Sequence, residues 1–208
     1  MVSFFTNCDL IGIVNWSEIE HTTAIWQGIL DDVVPRLPST KGKTVYFDLA
    51  DCSKRDDKDI REVVGLLPRY TKNFRTVLGI NENEARILYR VLLDDPNHAR
   101  CDIKTIGEQL YQKLGIEVLV IHPRDEAWAW QNGTSCHAKT KLIQHPQIST
   151  GGGDNFNAGF CLAHLLGLDL QSSLISANAV SGFYVQNGFS PSLDQLTAYL
   201  QEWQEAED

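Results

Sequence analysis

The chain has little positive charge. Its 208 residues carry 18 Lys and Arg against 27 Asp and Glu, a net charge of −9. Nucleic acids and anionic membranes bind clustered basic residues, so we predict neither as a partner. This charge does not exclude ATP, because backbone N–H groups and a metal ion can hold phosphates without basic side chains.

Targeting signals and metal-binding patterns are also lacking. The N-terminal residues contain no basic segment, and no apolar run approaches membrane-spanning length, which predicts a cytoplasmic protein. The cysteines form no C-x-x-C pair and the six histidines no H-x-x-x-H pair. We therefore predict free thiols and no metal held by imidazole. The five cysteines are Cys8, Cys52, Cys101, Cys136 and Cys161.

The most informative stretch is STGGGDNFNAGF, residues 149–160. Three consecutive glycines disfavour regular structure, and an apolar helical run follows them up to Leu166, so we predict a loop feeding a helix N-terminus. Converging N–H groups and the helix dipole would bind an anion there. Asp154 would repel a phosphate but is placed to take a proton from an attacking hydroxyl. The plain alternative is that Asp154 is only an N-cap.

This stretch differs from two common phosphate-binding motifs. No Lys-Ser or Lys-Thr pair follows the glycines, so it is not a Walker loop, and it lacks the dinucleotide fingerprint G-x-G-x-x-G.

Apolar strands alternate with amphipathic helices through the first 121 residues. Strands are predicted over 9–14, 44–49, 75–78 and 117–121, and helices over 17–35, 57–67, 81–91 and 102–114. Capping boxes are predicted at Ser17 with Glu20 and at Asn81 with Glu84. The alternation predicts an α/β fold with a doubly wound, mostly parallel sheet flanked by helices, in one domain over residues 1–208.

The second half adds a hairpin and three helices. Two short strands, 127–131 and 138–143, are predicted to meet at the Asn132-Gly133 turn. After the helix that ends at Leu166, further helices are predicted over 170–185 and 191–203, followed by an acidic end at 202–208.

Residues 149–160 resemble the second signature of the ribokinase-like (PfkB) carbohydrate kinases, D-T-x-G-A-G-D-x-F-x-x-G. The resemblance implies an ATP-dependent sugar kinase in which Gly151, Gly152 and Gly153 form an anion hole. Asp154 is then the base that deprotonates the sugar hydroxyl. Ile148 replaces the first aspartate of the signature, which helps to hold a monovalent cation in many members, so the resemblance does not imply that site here.

A second motif of the same family, N-x-x-E, is matched by Asn81 and Glu84. In the family its glutamate positions Mg²⁺ and the phosphates through water, so the resemblance implies Mg²⁺ and ATP as cofactor and phosphate donor. The plain alternative is a helix capping box, and one pair of residues can serve as both.

The residues that would contact the nucleotide resemble the family less closely. His122, Arg124 and Ala127 stand where the family has T-x-G-x-x-G. Arg124 remains a candidate for a phosphate contact, with a solvated loop arginine as the alternative. The small-residue run 176–182 resembles the helix that lines the adenine pocket, which implies nucleotide contacts for Ala177 and Asn178, although small residues also permit close helix packing.

The resemblance covers nearly the whole chain but only the later part of the family pattern. The N-terminal strands that carry most sugar contacts, and the β lid, have no counterpart. We therefore predict a sugar kinase that is truncated or that depends on a homo-oligomer or a partner chain for its sugar site. One alternative is a non-catalytic nucleotide-binding or interaction protein of the same fold. The other is an unrelated α/β protein whose glycines merely cap a helix.

Overall fold

The computed structural model describes residues 1–94 and 100–205. The strands in this part are β1 Leu10–Ile13, β2 Thr44–Asp48, β3 Arg75–Asn81, β4 Val118–His122, β5 Glu126–Gln131 and β6 Thr134–Lys139. The α-helices are α1 Val2–Asn7, α2 Thr22–Gly28, α3 Asp57–Val64, α4 Leu67–Thr71, α5 Glu82–Leu93, α6 Ile103–Leu114, α7 Gly152–Leu165, α8 Leu170–Asn187 and α9 Leu193–Glu205. The last three residues of the predicted acidic end lie outside the described residues.

The strands form one six-stranded sheet in the order β1-β2-β3-β4-β5-β6. β2 pairs in parallel with both β1 and β3. β5 and β6 are joined by only two residues, which requires an antiparallel hairpin. The sheet is therefore mixed and flanked by helices, and the predicted α/β fold is confirmed. None of the five cysteines, which all lie within the described residues, forms a disulfide bond, so the predicted thiols are confirmed.

Residue contacts group the chain into two compact units. The first contains residues 1–121 and 130–134, and the second contains 122–129 and the described residues from 135 onward. The prediction of one domain over residues 1–208 stays a prediction.

An aromatic cluster fills the core of the first unit. The ring of Phe47 lies 4.6 Å from that of Trp26 and 4.9 Å from that of Tyr70, measured between centroids. The Tyr70 hydroxyl donates a hydrogen bond to the Trp26 carbonyl at 2.8 Å. These contacts fix α2 and α4 on the same face of β2, the strand that ends at Asp48.

In the first unit, Gly107 allows the Trp130 ring to approach the backbone of α6 closely. A Cβ atom at Gly107 would lie 2.1 Å from the Trp130 ring, so the indole on β5 packs directly against the α6 backbone. Any side chain at position 107 would displace it.

The second unit is built on α7 and α8. A Cβ atom at Gly159 would lie 2.9 Å from both the Ala177 Cα and the Val180 Cβ, so the two helices meet at this glycine. α9 packs on α8 through Phe183, Leu196 and Tyr199, which are all buried.

The predicted capping box at Ser17 and Glu20 is wrong. Residues Trp16–Glu18 form a 3-10 turn, and α2 begins only at Thr22. The backbone N–H of Ser17 donates to the Leu49 carbonyl at 3.0 Å, and the Arg55 guanidinium donates to the Ser17 and Ile19 carbonyls. Contacts with a distant loop therefore override the local capping signal.

The bounds predicted for the second hairpin strand are also wrong. Asn132 and Gly133 have φ angles of 50° and 74°, the backbone expected of a tight hairpin turn. Strand pairing resumes at once, so β6 begins at Thr134, and residues 140–143 lie outside any strand. Most residues of this edge strand are exposed or half-buried, so its start carries no apolar signal.

Candidate functional site

The N-terminus of α7 is not capped by a side chain. Gly151 occupies the N-cap position with a φ of 90°, and Gly152, Gly153 and Asp154 form the first turn. Two of the three glycines thus lie inside the helix. Asp154 stands at the third helical position, so the alternative that it is the N-cap residue is wrong.

The backbone donors of this turn differ from one another. The N–H of Gly152 donates to the Ser149 carbonyl at 3.2 Å, and the N–H of Asn155 donates to the Gly151 carbonyl at 3.0 Å. The N–H groups of Gly153 and Asp154 have no acceptor in the part of the chain that the structure describes. Unpaired N–H groups at a helix start are a site for an anion. The assignment of all three glycines to an anion hole stays a prediction.

Side chains of α8 fasten the loop that precedes α7. The Ser181 hydroxyl donates to the Gly152 carbonyl at 2.9 Å, and the Tyr184 hydroxyl donates to the Thr150 carbonyl at 3.1 Å. A Cβ atom at Gly151 would lie 2.8 Å from the Tyr184 hydroxyl oxygen, in a backbone region that favours glycine. These contacts restrict the conformation of the loop.

Asp154 is exposed and has no hydrogen-bond or ion-pair partner among the described residues. It is therefore free to accept a proton from a bound hydroxyl group. Its role as the base stays a prediction.

A cavity of about 580 Å³ opens beside Gly152 and Gly153. Its walls carry two cationic residues, Arg124 and Lys141, and the described lining contains no carboxylate. The Lys141 ammonium lies 4.9 Å from the centroid of the Tyr199 ring. In a chain with a net charge of −9, this lining favours an anionic ligand.

His122, the last residue of β4, also lines this cavity. Its ring stacks on Phe156 with centroids 4.5 Å apart and an interplanar angle of 25°. Burial lowers the pKa of the imidazole to about 4, which leaves it neutral at physiological pH.

The three residues predicted to bind nucleotide have different surroundings. Asn178 lines the cavity, and its amide nitrogen donates to the Ala138 and Lys139 carbonyls at 3.4 and 3.2 Å. Arg124 is exposed at the cavity wall, whereas Ala177 is fully buried against Gly159. The surroundings of Ala177 match the close-packing alternative, and the nucleotide contacts of all three stay predictions.

The capping box predicted at the start of α5 is confirmed. The Asn81 side-chain oxygen accepts from the Glu84 N–H at 3.0 Å, and the Glu84 carboxylate accepts from the Asn81 N–H at 3.0 Å. Asn81 and Glu84 lie in the first unit, and the other predicted site residues lie in the second.

Glu84 is an unusual capping residue because it is only 4% exposed. Burial, together with the nearby Asp48 and Asp51 carboxylates, raises the pKa of its carboxyl to about 8. A cation near these carboxylates would relieve their repulsion. No group of three or more His, Cys, Asp or Glu in the described residues is arranged to hold a metal alone. These residues fit a Mg²⁺ ion that keeps several water and phosphate ligands.

Sequence patterns gave no indication of Lys141. It lies in the irregular segment between β6 and α7, where no periodicity applies, and its place in the cavity depends on packing against Tyr199. The described residues include no helix of the length and apolarity needed to cross a membrane.

Solved structures similar to this one belong to ribokinase-like kinases. Ribokinase from Thermotoga maritima has a TM-score of 0.70 at 18% identity, over 96% of this chain and 59% of that protein. A putative ribokinase II from E. coli, solved with ATP and Mg²⁺, has a TM-score of 0.70 at 16% identity, over 97% of this chain and 61% of that protein. These likenesses show the ribokinase-like fold.

Sequence comparison gives a more specific relationship. The ketohexokinase of Haloferax volcanii is 28% identical over 191 residues, which are 92% of this chain and 50% of that protein. The chain therefore spans about half the length of this curated relative. The family model of prokaryotic ketohexokinase matches residues 4–203. The chain belongs to the prokaryotic ketohexokinase family.

Proposed function

We propose that this protein takes part in transferring the γ-phosphate of Mg·ATP to a hydroxyl group of a sugar, with ketohexoses as the first class of acceptor to test. The observation that carries the proposal is the uncapped start of α7. Its unpaired N–H groups at Gly153 and Asp154 adjoin a cavity that contains two cationic residues and no carboxylate. The names of the family and of its Haloferax volcanii member support the acceptor class.

Asp154 acts in this proposal as the general base for the sugar hydroxyl. Its exposure and its position in the first turn of α7 put a carboxylate next to the phosphate site. The glycine loop of residues 151–153 holds the transferring phosphate, and the positive end of the α7 dipole stabilises its negative charge. Arg124 contacts a phosphate, and Asn178 and Ala177 contribute to the nucleobase side.

Glu84 and Asn81 provide the Mg²⁺ shell in this proposal, through bound water. Mg²⁺ neutralises charge that develops on the phosphates during transfer. The buried Glu84 carboxyl, with its pKa raised to about 8, supports this role because a nearby cation would favour its ionised form.

In this proposal, the binding site for the sugar acceptor needs residues from outside this chain. Because the chain spans 50% of its curated relative, we propose that the sugar site is completed by further sequence, by a second copy or by a partner chain. We also propose that residues 1–208 act as one domain and that the protein works in the cytoplasm.

The first test is the melting temperature of the chain with and without Mg·ATP. At about 100 times the dissociation constant, a ligand stabilises the folded state by roughly 2.7 kcal/mol. At about 2–4 °C per kcal/mol, the melting temperature should rise by several degrees. Gly153→Val should abolish this rise by filling the space beside His122. The control is Gly12→Val, because Gly12 has nothing within 4 Å of its Cβ position.

Three outcomes separate the hypotheses. A rise in melting temperature together with phosphorylation of a ketohexose supports the kinase. A rise without transfer, even with the completing chain supplied, favours the non-catalytic nucleotide-binding protein of the same fold. The absence of any rise in a folded sample contradicts nucleotide binding by this chain.

A further inference from the structure

The outer surface of α7, α8 and α9 exposes large apolar side chains. Five of them line one groove of about 310 Å³ between the three helices and are 39–69% exposed. Apart from three hydroxyl groups, the described lining of this groove is apolar, and it contains no charged residue. Contiguous exposed apolar surfaces mark sites of interaction. We call it the leucine groove, and the five side chains are Leu162, Leu166, Leu168, Ile175 and Leu193.

The sequences of α7 and α8 lack the charged outer face of an ordinary surface helix. α7 buries Phe156 and Phe160 on one side but exposes Leu162 and Leu165 on another. α8 contains no charged residue in its 18 positions. Helices that are apolar around most of their circumference are usually covered on more than one side. The composition of both helices therefore predicts a further packing partner on their exposed side.

The charges beside the leucine groove are negative. All 18 Lys and Arg residues lie in residues 1–141, so α7, α8 and α9 carry none. Asp169 directly follows Leu168, Asp194 directly follows Leu193, and both acids are exposed. The groove thus has an apolar lining, with carboxylates next to two of the leucines that form it.

This charge pattern separates the candidate occupants. In a two-fold contact between two copies of the chain the same surface faces itself, so Asp169 and Asp194 would approach the same acids of the second copy. Like charges that meet across an interface cost free energy. Nucleic acids and anionic membranes would be repelled for the same reason. A partner with positive charges would be attracted instead.

We infer that the leucine groove binds an amphipathic helix of a partner protein, with Lys or Arg on both flanks of its apolar face. Apolar side chains of such a helix, repeated at i, i+3, i+4 and i+7, fit a groove lined by leucines. Its basic flanks lie near Asp169 and Asp194. The leucine groove shares no lining residue with the cavity beside Gly152 and Gly153, so the inference does not depend on the proposed function.

The test is fluorescence anisotropy of two labelled synthetic helical peptides titrated with the full chain. Both peptides carry leucine at the i, i+3, i+4 and i+7 positions, and they differ only in having lysine or glutamate at the flanking positions. The lysine peptide should bind at least about tenfold more tightly than the glutamate peptide. The double variant Asp169→Asn, Asp194→Asn should reduce this difference. Asparagine also caps helices well, so the start of α8 should stay capped at position 169.

A change at Leu166 locates the bound peptide. Leu166→Lys places a charge in the apolar lining and repels the lysine peptide, so the affinity for this peptide should fall about tenfold or more. Leu165→Lys is the matched control, since Leu165 is the neighbouring residue, is 53% exposed and does not line the groove. It adds the same charge to the chain and should change the affinity much less.

The other outcomes overturn the inference. Equal affinities for the two peptides, or no binding of either, would do so. Equal losses in Leu165→Lys and Leu166→Lys would too, because the peptide would then bind outside the groove or through net charge alone. Sedimentation of the chain without peptide tests the second copy, since a dimer that Leu166→Lys dissociates would assign the groove to self-association. If Leu166→Lys does not fold, Leu193→Lys, at a 69% exposed residue of the same groove, decides by the same criteria.

Discussion

The starts of α5 and α7 solve the same physical problem in opposite ways. Every helix begins with N–H groups that lack partners within the helix. At α5, the side chains of Asn81 and Glu84 satisfy them reciprocally. At α7, Gly151 has no side chain to offer, and the N–H groups of Gly153 and Asp154 are left without acceptors among the described residues. At the capped start the side chains already accept from the first backbone N–H groups. At the uncapped start two backbone N–H groups can still donate to a ligand.

The N-termini of α5 and α7 also differ in the charge of the residues around them. The α5 start buries a carboxyl near two more carboxylates, Asp48 and Asp51, which favours a cation. The cavity at the α7 start carries Arg124 and Lys141 and no acid in its described lining, which favours an anion.

The largest effect is expected when the charge of Asp154, in the first turn of α7, is removed. Asp154→Asn should lower phosphoryl transfer by roughly 10²–10⁴-fold, because the amide cannot accept the hydroxyl proton. Its free energy of unfolding should fall by only about 0.3–1 kcal/mol, the scale of the interaction with the helix dipole, since the carboxylate is exposed and has no partner in the described structure. Asp194→Asn, in the first turn of α9, is the matched control and should leave transfer rates unchanged. Unaltered transfer in Asp154→Asn would remove Asp154 from the proposed mechanism.

The capped start should be sensitive to pH. The folded chain raises the pKa of Glu84 to about 8, so it binds this proton more tightly than the unfolded chain does. The free energy of unfolding should therefore fall as pH rises between about 4.5 and about 8, by at most about 1.4 kcal/mol per pH unit from this group.

Urea denaturation at several pH values, without divalent metal, measures this slope. Glu84→Gln should flatten it, and Glu82→Gln, which alters a half-exposed acid in the same turn, should not. Added Mg²⁺ should restore stability at pH 8 in the unchanged chain more than in Glu84→Gln. Identical slopes in the unchanged chain and Glu84→Gln would contradict the assigned pKa.

The uncapped start should also depend on Gly151 for stability. Gly151→Ala should lower the free energy of unfolding by roughly 2 kcal/mol, from left-handed backbone strain and from the Tyr184 hydroxyl at 2.8 Å. Gly167 has a φ of 75° but nothing near its Cβ position, so Gly167→Ala should cost only about 1 kcal/mol. Equal losses in the two variants would mean that Tyr184 moves aside readily.

The smallest expected effect concerns the charge of the cavity. Lys141→Met should weaken Mg·ATP binding about threefold to fivefold, the scale of a solvent-screened ion pair. Lys139→Met changes the net charge equally at an exposed residue that does not line this cavity. Comparing the two affinities by calorimetry separates a local contact from the general field of the protein, and equal affinities would assign no specific role to Lys141.

Sequence patterns predicted the features that are local. The Asn81 and Glu84 cap depends on residues three apart, and the strand-helix alternation depends on short-range periodicity, so both could be read directly. The Ser17 cap was wrong because the Ser17 N–H is taken by Leu49, a partner 32 positions away along the chain. No local pattern encodes that contact.

The cavity could not be predicted for the same reason. His122 and Lys141 come together with Gly153 only after β4, α7 and the segment beyond β6 have packed. The family motif identified the glycine loop, but it gave no means of recognising side chains that replace the usual glycine-rich turn at residues 122–127.

The unequal bonding of adjacent glycines provides an internal reference for amide hydrogen exchange. The Gly152 amide is held by Ser149, whereas the next amide, that of Gly153, has no acceptor in the described structure. In the free protein the second should exchange with solvent faster than the first. A phosphate bound at this helix start would slow exchange at Gly153 with little effect at Gly152. Two consecutive residues therefore report both that a ligand has bound and where it lies.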